Sequence, residues 1–398
     1  RRSVDLFFVQ VGHILLARLA GRWLGSIFAG TFFSLWMFSS SVLIYYAANY
    51  LPDAPAYGCV LTGLCLIFQG KENGQSVLED IGILTLVLGG LLKAPTTMYL
   101  IAYGGMVLLT EKPIGRSQWR KLAWVIGGIT IVALWNVYAI RYNAANHTHY
   151  FMTWAEPIWS MSGQEVSKTM NFITGYWLSK YHNPTSWHAL LLIFTIGIFL
   201  FRRIPKTAKS IVLLLLPATI AYIALFFRKF TDHDYYFLTI APFLAFTALS
   251  ILSSLLNKFS ATGYRISITI ILLVLAIMGL RLASLNISRR YAAKNDPLVA
   301  SICLDGTISS DLTKYNISPK ARFIVLGDPS PNGSLLFLNR NGWTYDETRD
   351  SIPDLNSLIQ KGADYLIVIG SSKKDLARFS LIDQTDRWAL FRLNHYRH

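Results

Sequence analysis

Charged residues are scarce in this sequence. They make up 15% of its 398 residues, and 53% of the residues are hydrophobic, whereas soluble domains carry about a quarter charged residues. Lys and Arg outnumber Asp and Glu by 37 to 22, which gives a net charge of +15. These basic residues lie between long apolar runs, and no basic stripe interleaved with stacking aromatics accompanies them. The pattern disfavours a nucleic-acid partner and favours a membrane protein.

Cysteine and several catalytic motifs are also scarce or missing. The three cysteines are Cys59, Cys65 and Cys303, with no CxxC pair, so a disulfide framework or a cysteine-based zinc site is disfavoured. The sequence has no Walker loop, no GxGxxG before a helix and no ordered Ser/His/Asp set. Nucleotide hydrolysis and serine-hydrolase chemistry therefore lack support.

Long apolar runs dominate the first 287 residues. Because a spanning helix needs roughly 20 mainly apolar residues, the sequence predicts spans near residues 4–20, 24–48, 56–70, 122–141, 188–201, 210–227, 235–257 and 266–285. Two shorter runs, Ile81–Leu92 and Thr96–Leu109, are separated by Lys93-Ala94-Pro95, where proline disfavours a continuous helix. The sequence thus predicts a mainly α protein, a transmembrane bundle of about 9–11 segments with one broken pair of half-helices.

Basic residues concentrate in alternate connectors of this region. Five connectors hold 13 of the 37 Lys and Arg residues, and the positive-inside rule assigns them to the cytoplasm. The outer side then receives residues 49–55, the Lys93 break, a long loop of about residues 142–187, residues 228–234 and everything after Ile287. In this orientation the first span begins outside, so we expect one more span upstream of Arg1.

The chain changes character after residue 287. Ala321–Gly327 and Ala363–Gly370 are short apolar runs bounded by turn residues, which is typical of buried strands. Asp354–Lys361 between them is predicted to form a short helix. We therefore predict a transmembrane domain over residues 1–287 and a small extracytoplasmic α/β domain over residues 288–398.

Ionisable side chains gather where the predicted outer loops meet the membrane, and such costly positions are candidates for a functional site. Asp53 precedes a span and could cap its helix or act in a site. Lys93 could bind phosphate, or it could be a snorkelling lysine at a structural kink. Residues 228–236 combine two cations, two acids, a histidine and two tyrosines, a density of charge that an aromatic belt does not explain.

The long outer loop holds further candidates. Loops of this length without periodicity are usually functional or disordered. Its Trp154, Trp159 and Trp177 indicate a segment that lies along the membrane surface. His147 and His149 form an HxH pair without a third placed ligand, so we interpret them as no metal site.

The polar segments together resemble the motifs of one family. Tyr50–Asp53 before a span, the Lys93-Ala94-Pro95 break, and His233-Asp234-Tyr235-Tyr236 followed after five residues by Pro242 look like those of the GT-C integral-membrane glycosyltransferases. The most similar branch contains the protein O-mannosyltransferases and the lipid A aminoarabinose transferases. The resemblance covers nearly the whole chain, including the outer domain.

The resemblance implies a transferase of the bacterial inner membrane that moves a sugar from a polyprenyl-phosphate carrier to a glycan, lipid or protein acceptor on the outer side. It implies that Asp53 is the second of two acids, the first lying in a loop upstream of Arg1. That carboxylate would deprotonate the acceptor or hold a divalent metal that does so; the sequence itself assigns no metal ligand. Side chains that would bind the donor phosphate, where negative charge develops, are Lys93, Arg228, His233, Tyr235 and Tyr236.

Two other functions remain open from the sequence. A transporter or flippase could also use a broken helix with a buried lysine, although transporters usually show paired breaks in related halves. A non-catalytic scaffold could bind partners through its outer domain. Only the enzyme requires Asp53, Lys93 and Tyr235 to converge, so their separation would contradict it.

Overall fold

The computed structural model describes most of the chain, namely residues 2–49, 51–110, 115–146, 151, 154–259, 261–291, 312, 314–328, 333–345, 354–370, 376–385 and 388–393. Four features of the sequence lie outside the described residues: Tyr50, Lys112, the His147–His149 pair and Cys303. The chain divides into two compact units, Arg1–Ser288 and Arg289–His398.

Helices build the chain up to residue 291. The α-helices are α1 (Arg2–Leu24), α2 (Ile27–Phe38), α3 (Ser41–Ala47), α4 (Asp53–Asn73), α5 (Ser76–Leu92), α6 (Thr97–Thr110), α7 (Arg116–Asn146), α8 (Gly163–Phe172), α9 (Leu178–Tyr181), α10 (Pro184–Leu200), α11 (Lys206–Leu225), α12 (Ala241–Lys258) and α13 (Thr262–Tyr291). Short 3₁₀ turns cover Ala94–Thr96, Ile158–Ser160, Phe201–Arg203, Phe227–Thr231 and Asp234–Thr239, and Ile173–Trp177 forms one π-helical turn.

Six of these helices are long and apolar enough to cross a membrane: α1, α7, α10, α11, α13, and α12 with the turn before it. The described part of the chain contains seven if α2 and α3 count as one span. The helices α4, α5 and α6 are shorter or more polar, and they account for the larger number of segments that the sequence predicts. The chain is therefore a multi-pass integral membrane protein.

The apolar run of residues 24–48, predicted as one span, is broken. Helices α2 and α3 meet at 83°. Serines explain the break, because the hydroxyl of Ser39 donates to the carbonyl of Trp36 (2.7 Å) and that of Ser40 accepts from the backbone N–H of Leu43 (3.4 Å). Serine hydroxyls that bond to nearby backbone compete with a continuous helix.

The predicted break at Lys93 is confirmed. Lys93 ends α5 with extended backbone (φ −146°, ψ 101°), and Pro95 lies in the 3₁₀ turn that precedes α6. The hydroxyl of Thr96 donates to the carbonyl of Lys93 at 2.8 Å. The backbone freed at the break thus finds a side-chain partner, as a break inside a membrane protein requires.

Helix α4 lies in the core of the bundle and packs against α1 and α5. Its crossing with α1 is close, since a Cβ on Gly58 would lie 2.5 Å from the Phe8 carbonyl. Nearly all of α4 is buried, from Asp53 to Gly70. This packing fixes the position of Asp53 at the first turn of α4.

The second unit is a small α/β fold. Its strands are β1 (Arg322–Leu326), β2 (Asn341–Tyr345), β3 (Tyr365–Ile369), β4 (Ser380–Gln384) and β5 (Trp388–Arg392), with helices α14 (Gly333–Leu338) and α15 (Leu355–Gln360). The strand order is β2-β1-β3-β5-β4; β1 runs parallel to both neighbours, and β5 runs antiparallel to β3 and β4. The two predicted strands are β1 and β3, adjacent and largely buried in the sheet.

Candidate active site

Asp53 and Lys93 form an ion pair where two helices end. Asp53 is the first residue of α4 and Lys93 follows the last residue of α5, and Lys93 Nζ lies 2.9 Å from Asp53 Oδ1. Their side chains are 2% and 18% exposed. Pro52 occupies the N-cap position of α4, so capping by Asp53, the alternative left open by the sequence, does not occur. The carboxylate contacts the lysine instead.

Tyr235 and Tyr236 flank the same ammonium group. Lys93 Nζ lies 4.4 Å from the ring centroid of Tyr236 and 5.5 Å from that of Tyr235, distances typical of a cation–π contact. The Tyr235 ring packs edge-on against Tyr46 (5.4 Å), whose hydroxyl donates to Asp234 Oδ1 at 2.9 Å. Asp234 thus anchors α3 to the turn that carries both tyrosines.

His233 lies beside this group. Its ring stacks on Tyr235 at 5.1 Å and on Tyr236 at 5.9 Å. Burial lowers the pKa of His233 below its ordinary value, so the ring is neutral near pH 7 and carries one N–H donor. The structure therefore brings together Asp53, Lys93, His233, Tyr235 and Tyr236, as the enzyme interpretation requires.

Arg228 pairs with acids of the long loop instead. Its guanidinium lies 2.9 Å from a carboxylate oxygen of Glu165 and 3.8 Å from one of Glu156, and Arg228 does not line the cavity beside Lys93. The neighbouring Lys229 ammonium also contacts Glu156. The two cations of this segment thus bind acids of the long loop, which the density of charge alone did not reveal.

These contacts stabilise the ionised forms of the two acids of the long loop. Burial opposes ionisation of Glu156, but hydrogen bonds from Lys229 and Trp154 outweigh it and lower its pKa. Hydrogen bonds from the backbone and hydroxyl of Ser162, together with Arg228, lower the pKa of Glu165. The loop is therefore tethered to residues 228–229 by charge-assisted hydrogen bonds.

The tryptophans of the loop have different environments. Trp159 is 69% exposed and Trp154 is 42% exposed. Trp177 is buried, and its indole N–H donates to the carbonyl of Phe230 at 2.8 Å. The prediction that Trp177 lies along the membrane surface is wrong, because this indole fastens the loop to the turn at residues 227–231.

A cavity of about 460 Å³ opens beside the ion pair. Asp53, Lys93, Tyr235 and Tyr236 line it together with a second group of residues from α7 and the loop after it. That second group comprises Trp135, Asn136, Ala139, Phe151, Trp154 and Ala155. Sequence reasoning named Trp154 without placing it in the site, and it missed Trp135, because an aromatic side chain in an apolar run is indistinguishable from a lipid-facing one.

The described residues contain no group of three or more His, Cys, Asp or Glu side chains that could hold a metal ion. Asp53 supplies the one carboxylate among the described residues that line the cavity. It is therefore the side chain of this cavity that could contribute to a metal site.

Comparison with known proteins rests on the fold. No family model and no curated protein matches the sequence. Among solved structures, ArnT from Cupriavidus metallidurans bound to undecaprenyl phosphate matches with a TM-score of 0.57 and 14% identity, over 98% of this chain and 83% of ArnT. This chain has the GT-C fold.

A second GT-C protein, the arabinofuranosyltransferase AftD from Mycobacteria, matches with a TM-score of 0.51 and 13% identity, over 98% of this chain. The chain spans 33% of the length of AftD. Both matches extend over the helical unit and the small sheet, so the GT-C fold accounts for nearly the whole chain.

Proposed function

We propose that this chain is a glycosyltransferase that moves a sugar from a polyprenyl-phosphate-linked donor to an acceptor on the outer face of the membrane. The observation that carries the proposal is the Asp53–Lys93 pair at the edge of a cavity. A carboxylate and a cation side by side match the two needs of this transfer, a base for the acceptor and a charge partner for the phosphate leaving group.

The donor phosphate binds at Lys93 in this proposal. The Lys93 side chain is 18% exposed and lines the cavity, with its ammonium beside the Tyr235 and Tyr236 rings, so little water competes with an anion there. Undecaprenyl phosphate bound to ArnT, a protein of the same fold, supports a lipid phosphate as the donor group. His233 and the two tyrosine hydroxyls are further candidate donors, whereas Arg228 acts through the loop that it tethers.

Transfer breaks one bond and forms another. The acceptor oxygen attacks the anomeric carbon as the bond from that carbon to the phosphate oxygen breaks. Asp53 takes the acceptor's proton, and the polyprenyl phosphate leaves with its negative charge facing Lys93. Donor binding draws Lys93 toward the phosphate, which frees Asp53 to act as the base.

The membrane orientation is part of the proposal. The positive-inside distribution of Lys and Arg puts the Asp53–Lys93 cavity on the extracytoplasmic side of a bacterial inner membrane, with residues 288–398 on that side too. Acceptors available there include glycans, lipids and proteins.

A transfer assay tests the proposal. Membrane vesicles that contain the protein are incubated with a panel of radiolabelled polyprenyl-phosphate sugars and an envelope extract as the acceptor pool. We expect label to move from the lipid fraction to an acceptor with wild type and not with Asp53→Asn. Asp80→Asn is a matched control. Asp80 pairs with Arg120 in a partly exposed salt bridge, and it does not line the cavity.

The same assay separates the enzyme from a flippase. A flippase leaves the sugar on its lipid and changes only the leaflet in which it lies. Label that stays on the lipid with wild type, or transfer by Asp53→Asn equal to wild type, would contradict the proposed enzyme.

A further inference from the structure

Three aromatic side chains of the cavity have no part in the chemistry of the Asp53–Lys93 pair. They are Trp135 on α7, and Phe151 and Trp154 in the loop that follows. Trp135 and Trp154 are each 42% exposed, although both line the cavity. We call these three residues the aromatic wall.

Two hydrogen bonds fix the backbone of Phe151, one residue of the aromatic wall. The side-chain amide of Asn143 donates to the carbonyl of Phe151 at 2.7 Å, and its oxygen accepts from the backbone N–H of Phe151 at 3.1 Å. The ring of Phe151 then packs edge-on against Trp135 at 5.8 Å. A two-way amide contact of this kind fixes both the position and the direction of the backbone at Phe151.

Trp154 is fixed in a different way. Its indole N–H donates to Glu156 Oε1 at 3.1 Å, and the Lys229 ammonium lies 5.5 Å from its ring centroid. Glu156 is itself bound to Arg228 and Lys229. The charges at residues 228–229 therefore position an aromatic ring of the cavity, which gives this cluster a place in the site without contact to the donor phosphate.

We propose that the aromatic wall binds the ring of the transferred sugar. A sugar ring has one face of C–H bonds, which packs on an aromatic ring and buries apolar surface. A phosphate at Lys93 places the sugar linked to it in the same cavity, which the aromatic wall also lines. The inference rests on the proposed function and names the side chains of that site that bind the sugar.

Binding measurements that compare ligands with and without a sugar test the proposal. The full chain in lipid nanodiscs is titrated with undecaprenyl phosphate and with polyprenyl phosphates that carry mannose, arabinose or 4-aminoarabinose. We expect at least one of the sugar-carrying ligands to bind more tightly than undecaprenyl phosphate. Trp135→Leu should weaken the binding of that ligand by about three- to tenfold, the range for loss of an aromatic contact. The affinity for undecaprenyl phosphate should be unchanged.

A tryptophan of the same helix provides the matched control. Trp124 also lies on α7 and is 44% exposed, but it does not line the cavity, so Trp124→Leu should leave every affinity unchanged. Trp154→Leu is a second variant of the aromatic wall and should repeat the selective loss. Unchanged binding of undecaprenyl phosphate shows that each variant is folded.

The outcomes separate this inference from the function on which it rests. Equal loss with Trp124→Leu and Trp135→Leu would overturn the inference and assign both residues to the lipid interface. If no sugar-carrying ligand binds more tightly than undecaprenyl phosphate, the inference is also overturned while the lipid-phosphate site stands. Failure of wild type to bind undecaprenyl phosphate would overturn both, and a variant that loses undecaprenyl phosphate along with the sugar ligand contradicts a separate sugar site.

Discussion

The ammonium of Lys93 lies 2.9 Å from Oδ1 of Asp53, with 2% of the Asp53 side chain and 18% of the Lys93 side chain exposed. The energy of such a pair is divided between a cost of desolvation and a gain from attraction, so removal of one partner leaves an uncompensated charge. An anion that binds Lys93 must also compete with Asp53. In the proposed function, binding of the donor phosphate at Lys93 therefore releases the Asp53 carboxylate.

The first prediction concerns Asp53→Asn. Loss of the carboxylate's charge leaves Lys93 free for phosphate, so we expect undecaprenyl phosphate to bind about fivefold more tightly, the equivalent of ~1 kcal/mol for a partly screened ion pair. Transfer should fall by about 100-fold or more, as for loss of a general base. Binding by isothermal titration and turnover with labelled donor measure the two effects. Weaker phosphate binding would show that Asp53 does not compete for Lys93.

The second prediction concerns Lys93→Gln. Undecaprenyl phosphate binding should be lost, and the buried Asp53 carboxylate left alone should lower the free energy of unfolding by about 3 kcal/mol. The double variant Asp53→Asn/Lys93→Gln should recover most of that stability but none of the binding. Lys258→Gln, at an exposed lysine that ends α12, is the control and should change neither. Recovery of binding in the double variant would place the phosphate site away from Lys93.

The third prediction concerns the long loop and pH. Contacts with Lys229 and Trp154 outweigh burial and hold the pKa of Glu156 below its ordinary 4.5. The tether is therefore stable at neutral pH and weakens as pH falls through the lowered pKa. Hydrogen exchange of residues 163–181, corrected for the intrinsic pH dependence, should therefore rise as pH falls through the lowered pKa values of Glu156 and Glu165.

A variant checks the cause of that pH effect. Glu156→Gln/Glu165→Gln, which removes both acids of the tether, should show the faster exchange already at pH 7, with little further change as pH falls. Glu72→Gln, which removes a carboxylate paired with Arg22 instead, should behave as wild type. Exchange that is independent of pH in the wild type would mean that packing alone, such as the Thr169–Thr231 hydroxyl contact at 2.8 Å, holds the loop.

The fourth prediction concerns a second buried ion pair, far from the candidate site. Lys121 Nζ lies 2.9 Å from Glu79 Oε2, each side chain is 7% exposed, and the Tyr103 hydroxyl donates to the same carboxylate oxygen at 3.2 Å. Lys121→Met should lower the free energy of unfolding by about 3 kcal/mol, and Glu79→Leu/Lys121→Met by much less. Thermal unfolding in detergent measures both, with transfer activity at low temperature unchanged. Equal losses in the single and double variants would contradict a coupled pair.

Local pattern was enough for much of the fold. Apolar runs predicted the helices, Pro95 predicted the break between α5 and α6, and two short apolar runs predicted the adjacent strands β1 and β3. Pattern failed where side chains redirect the backbone: Ser39 and Ser40 break a run of apolar residues that hydropathy alone treats as one span. Trp177 looked like an interfacial residue, yet it is buried against Phe230.

The sequence by itself determined that this chain crosses a membrane, that its helical structure is interrupted at Lys93 and that its polar residues gather in a few segments. Composition and periodicity suffice for these features because they are local properties. Tertiary structure alone decided which of those residues meet. Packing of α4 against α5 joins Asp53 to Lys93, while Arg228 is drawn to Glu156 and Glu165. Partner choice among charges depends on distances across the fold, since Coulomb attraction and burial act through space and not along the chain.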